Sequence, residues 1–131
     1  MCKNSKDISI DKSKIYECTY TGIWLSYSSA IVNNTEFFNS NHFSGFVRVD
    51  NSNLKMEKCN IHKIVSEGTG FIESMDFGSK ASLLSFKDCK FKDNEFFKLT
   101  SIETENIVFD NCIFEANKGD MGNYNIEETP N

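Results

Sequence analysis

The sequence predicts an all-β chain wound as a right-handed, single-stranded parallel β-helix of about five coils. Three observations predict it. Segments aligned on Ser13, Thr35, Cys59, Cys89 and Cys112 recur at intervals of 22, 24, 30 and 23 residues. Each recurrence carries apolar residues at three fixed offsets. Around the first two of these, apolar and polar residues alternate as in a strand with one buried face, and no apolar run of helical period lasts beyond two turns.

Residues 1–7 form a polar N-terminal segment without the apolar stretch of a signal peptide. Coils then occupy residues 8–119, starting near 8, 30, 54, 82 and 106. Five positions before the aligned residue stand Ile8, Ala30, Leu54, Leu84 and Ile107. Three before it stand Ile10, Val32, Met56, Phe86 and Phe109, and two after it Ile15, Phe37, Ile61, Phe91 and Phe114. The small aligned residue itself falls where the chain is expected to bend. A glycine opens a third apolar step at Gly22-Ile23-Trp24-Leu25, Gly45-Phe46-Val47 and Gly70-Phe71-Ile72, and the fourth repeat offers Phe96-Phe97-Lys98-Leu99 in its place. Three short strands between bends describe one coil, and like residues then stack on like: Phe86 over Phe109, Phe91 over Phe114, Cys89 over Cys112. The 30-residue interval implies an insertion loop within residues 66–80, before or after the Phe71-Ile72 strand. Residues 120–131 are expected to be a frayed C-terminal tail.

Composition narrows the function classes. With 39% hydrophobic residues, 12 Phe and a net charge of −5, the 131-residue chain is a single folded domain rather than a disordered one. Its one arginine, Arg48, and its pI of 5.0 argue against a nucleic-acid partner, which needs clustered Lys and Arg. No run approaches the roughly 20 apolar residues of a membrane span. The repeats start at Ile8 without a recognisable cap, which suggests a piece of a longer protein. The expected compartment is the cell surface or the exterior if that protein is exported, and the cytoplasm if the chain is complete.

Candidate chemistry is sparse. Among Cys2, Cys18, Cys59, Cys89 and Cys112 there is no C-x-x-C pair, so the stacked cysteines read as small fillers of an interior bend, although a Cys89–Cys112 bridge is conceivable at coil spacing. The outward column Asp11, Asn33, Glu57, Lys87 and Asp110 is interrupted by lysine. Asp88 and Asp93 lie near Asp110, but Lys87, Lys90 and Lys92 suggest ordinary surface pairing. Arg48 has Asp50 as its one nearby carboxylate. His42 and His62 fall in different columns and read as surface or bend histidines. Trp24 and Phe71 are expected in the core. The sequon Asn33-Asn34-Thr35 places Thr35 inward and reads as incidental. No catalytic residue, cofactor-binding residue or metal site is expected, and a glycan or protein ligand would meet the outward strand faces or the insertion loop, from Glu67-Gly68-Thr69 to Asp76-Phe77-Gly78. Edge-to-edge pairing with further coils is also expected, since terminal coils expose sheet edges.

The segments Asp88-Cys89-Lys90-Phe91-Lys92-Asp93-Asn94 and Asn111-Cys112-Ile113-Phe114-Glu115-Ala116-Asn117 share Phe-x-x-Asn. With the later Gly-apolar step, they resemble the right-handed β-helix repeats of pectin-lyase-like proteins. In particular they resemble the polymorphic outer membrane protein repeats of chlamydial surface proteins and similar repeats of protist surface proteins. The resemblance covers residues 8–117. It departs at Cys18 and Ile64, which stand where Asn would, at Ser40 followed by Asn41, and in having one Gly where the chlamydial motif has Gly-Gly-Ala. It implies a non-enzymatic structural or adhesive segment of a larger surface or secreted protein. The alternative it implies is a partial or degenerate carbohydrate-active protein of pectate-lyase type, or a carbohydrate-binding one. A leucine-rich repeat is the rival fold, since Phe86-x-x-Cys89-x-Phe91-x-x-Asn94-x-Phe96 fits its spacing. It is distinguished by helices or 3₁₀ turns on its convex side.

Overall fold

The computed structural model describes residues 2–3, 8–76, 81–101, 106–121 and 128–129. The chain winds through three parallel sheets. The first face stacks β2 (Ile8–Asp11), β5 (Ser29–Asn33), β8 (Asn53–Glu57), β11 (Leu83–Lys87) and β14 (Ile107–Asp110). Its registers pair Ile10 with Val32, Val32 with Met56, Met56 with Phe86 and Phe86 with Phe109. These are the columns read from the repeat. The second face holds β3 (Lys14–Tyr16), β6 (Glu36–His42), β9 (Asn60–Ser66), β12 (Lys90–Lys92), β13 (Glu95–Lys98), β15 (Ile113–Glu115), β16 (Lys118–Asp120) and β17 (Glu128–Thr129). The third stacks β1 (Cys2–Lys3), β4 (Ile23–Ser26), β7 (Val47–Asp50) and β10 (Ile72–Ser74). Five strands on the first face bound about four complete turns, rather than five separate full coils. Among the described residues there is no α-helix, and so none long and apolar enough to cross a membrane. The leucine-rich repeat is thereby excluded: strands stand where its convex helices would be.

Corners are made one residue before the position the repeat suggests. Lys12, Asn34, Lys58, Asp88 and Asn111 all have φ between 50° and 54°. A second corner, not anticipated from the sequence, follows at Glu17, Asn39, Lys63, Asp93 and Ala116, with φ between 48° and 56°. Each left-handed residue turns the chain sharply at a cost of about 1 kcal/mol or more for a side chain bearing Cβ. The residue just after the turn then points inward and repairs the broken ladder. At the first corner Thr35 Oγ1 donates to the Asn33 carbonyl, and the thiols of Cys59, Cys89 and Cys112 do the same to Glu57, Lys87 and Asp110. At the second, Asn94 accepts from the Ile64 amide at 3.1 Å and donates to the Ile61 carbonyl at 3.0 Å. Asn117 repeats this one coil on, taking the Asn94 amide and giving to the Phe91 carbonyl. The third corner carries Ser28, Ser52 and Ser82, the Ser52 hydroxyl accepting from the Ser28 amide and the Ser82 hydroxyl from the Ser52 amide. Buried backbone groups left without ladder partners are costly, so these small polar columns are what permits a strand to turn inside a dry core.

Between the corners the interior is apolar. Phe91 stacks on Phe114 with centroids 4.7 Å apart and planes at 2°, and Phe86 on Phe109 at 5.2 Å. Phe46, Phe71 and Phe96 continue a second ring column at 5.1 and 5.0 Å. Phe96 belongs to β13, however. Among the described residues the fourth coil meets the third face at Leu99 to Ser101, where the Ile72 amide donates to the Leu99 carbonyl, Thr100 bridges Ile72 and the Ser101 amide donates to the Ile72 carbonyl. The glycines of the third step are needed for close approach: a Cβ on Gly45 would stand 2.5 Å from the Gly70 carbonyl oxygen.

The insertion follows the Phe71-Ile72 strand almost entirely. The offset between neighbouring coils is 24 at His42–Ser66, 25 at Val47–Ile72 and 30 at Ser52–Ser82. Asp76 closes its base, accepting from the amides of Asn51 and Ser82, each at 2.8 Å. Phe77, Gly78 and the rest of 77–80 lie outside the described residues. The tail expected to fray from residue 120 is partly ordered: Asp120 ends β16, and Glu128–Thr129 pairs with Phe114–Glu115.

Candidate functional site

Strand alternation sends one residue in two outward, so each face carries its own chemistry. On the third face Ile23 and Leu25 are buried, and Trp24 between them points out, half-buried rather than in the core as expected. Phe71 is fully buried, as expected. Register places Trp24 beside Arg48 and Arg48 beside Glu73 across three strands. The Arg48 guanidinium lies over the indole, 4.9 Å from its centroid, and Tyr20 flanks the same ring at 6.1 Å. Asp50 anchors the pair, taking the indole N–H on one oxygen at 3.1 Å and Arg48 Nε on the other at 3.3 Å. Its carboxylate is only 6% exposed as a residue, so this is a built cluster rather than a chance surface pairing.

The base of the insertion loop joins the same face. Ser44 donates to Glu73 at 2.9 Å, Met75 Sδ lies 3.8 Å from Arg48 Nη2, and Asp76 holds the amide of Asn51, next to Asp50. Burial pushes the Asp76 carboxyl up, but the hydrogen bonds from Ser82, Asn51 and Ser74 outweigh it and hold it below the usual aspartate value. The result is one strip carrying Trp24, Tyr20, Arg48, Asp50 and Glu73, bordered by the insertion loop with Asp76 at its base.

Other faces are less suited to a ligand. On the second, Tyr16, Phe38 and His62 stack face to face at 5.0 and 5.4 Å, so their ring faces cover one another and their edges meet solvent. His62 Nε2 lies 2.5 Å from Glu36, a partner the sequence spacing did not reveal. The first face has exposed Ile31, Leu83 and Val108 and a groove of about 290 Å³ along Asn53, Lys55, Leu83 and Val108, with no acidic cluster. Its outward column runs Asp11, Asn33, Glu57, Lys87, Asp110 in register.

Asp88 and Asp93 prove to be corner residues, at opposite ends of β12 and about 16 Å apart along the chain at strand rise. Asp88 accepts from Asn111 at 2.6 Å, and Lys90 pairs with Glu115 rather than with either aspartate. Asp88 lies beside Asp110, its amide donating to the Asp110 carbonyl at 3.0 Å, whereas Asp93 stands at the far end of β12 and does not join them. Among the described residues no group of three or more metal-ligating side chains comes together. His42 is buried, at 1% exposure, with Nδ1 unpartnered, rather than at the surface, and desolvation lowers it to about 4. The left-handed Asn39 resets the alternation, so that Ser40 and His42 point inward where an unbroken strand would turn them out. The sequon's Asn33 has a buried Oδ1, and Thr35 is interior.

A family model described as right handed beta helix region matches residues 1–127. The chain belongs to the right-handed β-helix family. No curated protein matches the chain. The family includes pectate lyases and non-enzymes alike, so membership establishes the solenoid and leaves the chemistry to the faces.

Proposed function

We propose that this β-helix is a non-enzymatic binding module, a segment of a larger surface or secreted protein, that holds an extended glycan against its third face. The single observation that carries this is the Trp24–Arg48–Asp50 cluster. The chain's one tryptophan and one arginine are fixed in register by a buried carboxylate, beside the one loop that breaks the repeat. Indole and phenol faces suit the apolar faces of sugar rings, and guanidinium and carboxylate suit their hydroxyl or acidic substituents. Asp50 is committed to the indole and to Arg48, and Glu73 to Ser44, which favours binding over hydrolysis by a free acid–base pair about 5–9.5 Å apart.

Trp24 is its own reporter. Titrating the protein with a panel of neutral and acidic oligosaccharides should change its intrinsic fluorescence saturably for one class, and Arg48→Ala should weaken that binding at least tenfold. A panel that leaves the fluorescence unmoved, or sugar chains that are cleaved on incubation, would sink the reading. Saturation by a protein ligand instead would keep the face and replace the glycan.

A further inference from the structure

Cys59, Cys89 and Cys112 take the same corner in three successive coils. Register on both sides fixes the column: Lys87 pairs with Glu57 and Asp110, and Lys90 with Asn60 and Ile113. The side chains therefore stand one coil apart, about 4.8 Å. The Cys89 thiol donates to the Met56 carbonyl of the coil before it at 3.4 Å, and Cys112 to the Phe86 carbonyl at 3.3 Å.

Two chemistries compete for such a column. A disulfide needs sulfurs about 2.05 Å apart and Cβ atoms about 3.5–4.5 Å apart, so coils stacked in register would have to pinch. A cation gripped in line by one thiolate on each side bridges a wider gap, about 4.6 Å if its bonds match the roughly 2.3 Å of a zinc–thiolate bond, which is close to the coil spacing. Tetrahedral zinc needs four ligands, which the corner does not offer. Thiolate softness instead selects copper(I). Cys59 and Cys89 are buried, whereas Cys112 in the last coil is only partly so, which gives an ion its approach from that end.

We infer that Cys89 and Cys112 form a two-coordinate thiolate site for a soft monovalent cation of the copper(I) class. Binding replaces two S–H bonds with two S–metal bonds, releases two protons and leaves one negative charge on the S–metal–S unit. The test is anaerobic titration of the reduced full chain with copper(I) against a competing chelator, read by thiolate-to-metal absorption and by native mass. One ion should bind, with affinity falling at least 100-fold in Cys89→Ser and in Cys112→Ser and holding in Cys2→Ser and Cys18→Ser. Ser13 fills this corner in the first coil, so the serine variants keep its hydrogen-bonding capacity, and their melting curves check the fold. Wild-type affinity in Cys89→Ser, or loss that follows Cys2 or Cys18, overturns the site. So does a Cys89–Cys112 disulfide forming in air in a chain that takes up no copper(I).

Discussion

In the middle coils Val32, Met56, Ile61 and Phe86 have no exposure at all, whereas Ile8, Ile10 and Ile15 of the first coil, at the same repeat positions, are only partly buried. Phe109 and Cys112 of the last coil are open in the same way. Yet Phe114, also in the last coil, is fully buried, because its strand has a neighbour on each side, β12 and β17. A coil above and a coil below are what close most of these positions off from water, although Ile107 on the edge strand β14 is buried as well.

Substitution along one column would break or sharpen that contrast most directly. Phe91→Ala removes a ring stacked against Phe114 and edge-on to Phe71, Phe86 and Phe109, and should cost about 3–5 kcal/mol in urea denaturation. Ile15→Ala in the open first coil should cost only about 1–2 kcal/mol. Equal losses would mean that the ends are as tightly built as the middle.

His42 tests the middle by pH. Its folded value, about 4, lies below the ordinary 6.5, so the unfolded chain binds the extra proton. Stability should be full above pH 6.5 and fall as pH drops toward 4, by up to about 3 kcal/mol. His42→Leu should flatten that part of the profile, and a slope that survives would assign it elsewhere.

The corner ladders predict a gradient of the same kind. Asn94→Ala leaves the Ile64 amide and Ile61 carbonyl unpaired in the interior and should cost about 1–3 kcal/mol, while Asn117→Ala, one coil nearer the end, should cost less. The smallest effect belongs to Asp76. Its lowered carboxyl ties the insertion down above its folded value and lets go as pH falls through that value. Asp76→Ala should speed amide exchange at Asn51 and Ser82 with little change in global melting. Unchanged exchange would remove Asp76 as the clasp.

The inward columns were legible because strand alternation and a near-constant period must both hold for coils to stack, and both leave marks on residue type. The corners left fainter ones. Asn34, Asp88, Asn111, Asn39 and Asp93 are types that tolerate the left-handed region, but Lys12, Lys58, Glu17, Lys63 and Ala116 do the same work without announcing it. The burial of His42 is hidden in the sequence for that reason, since one left-handed residue shifts the parity of all that follows in its strand. Trp24 has the hydrophobicity of a core residue, but its place between the inward Ile23 and Leu25 turns it out. Pattern along the chain thus specified which residues face inward and that neighbouring coils match. Stacking settled what a linear pattern cannot carry: that Trp24, Arg48 and Asp50 meet across two strands, that His42 is dry, and that three thiols separated by 30 and 23 residues stand in one file. Those contacts lie perpendicular to the chain, where only the register of one coil on the next brings residues together.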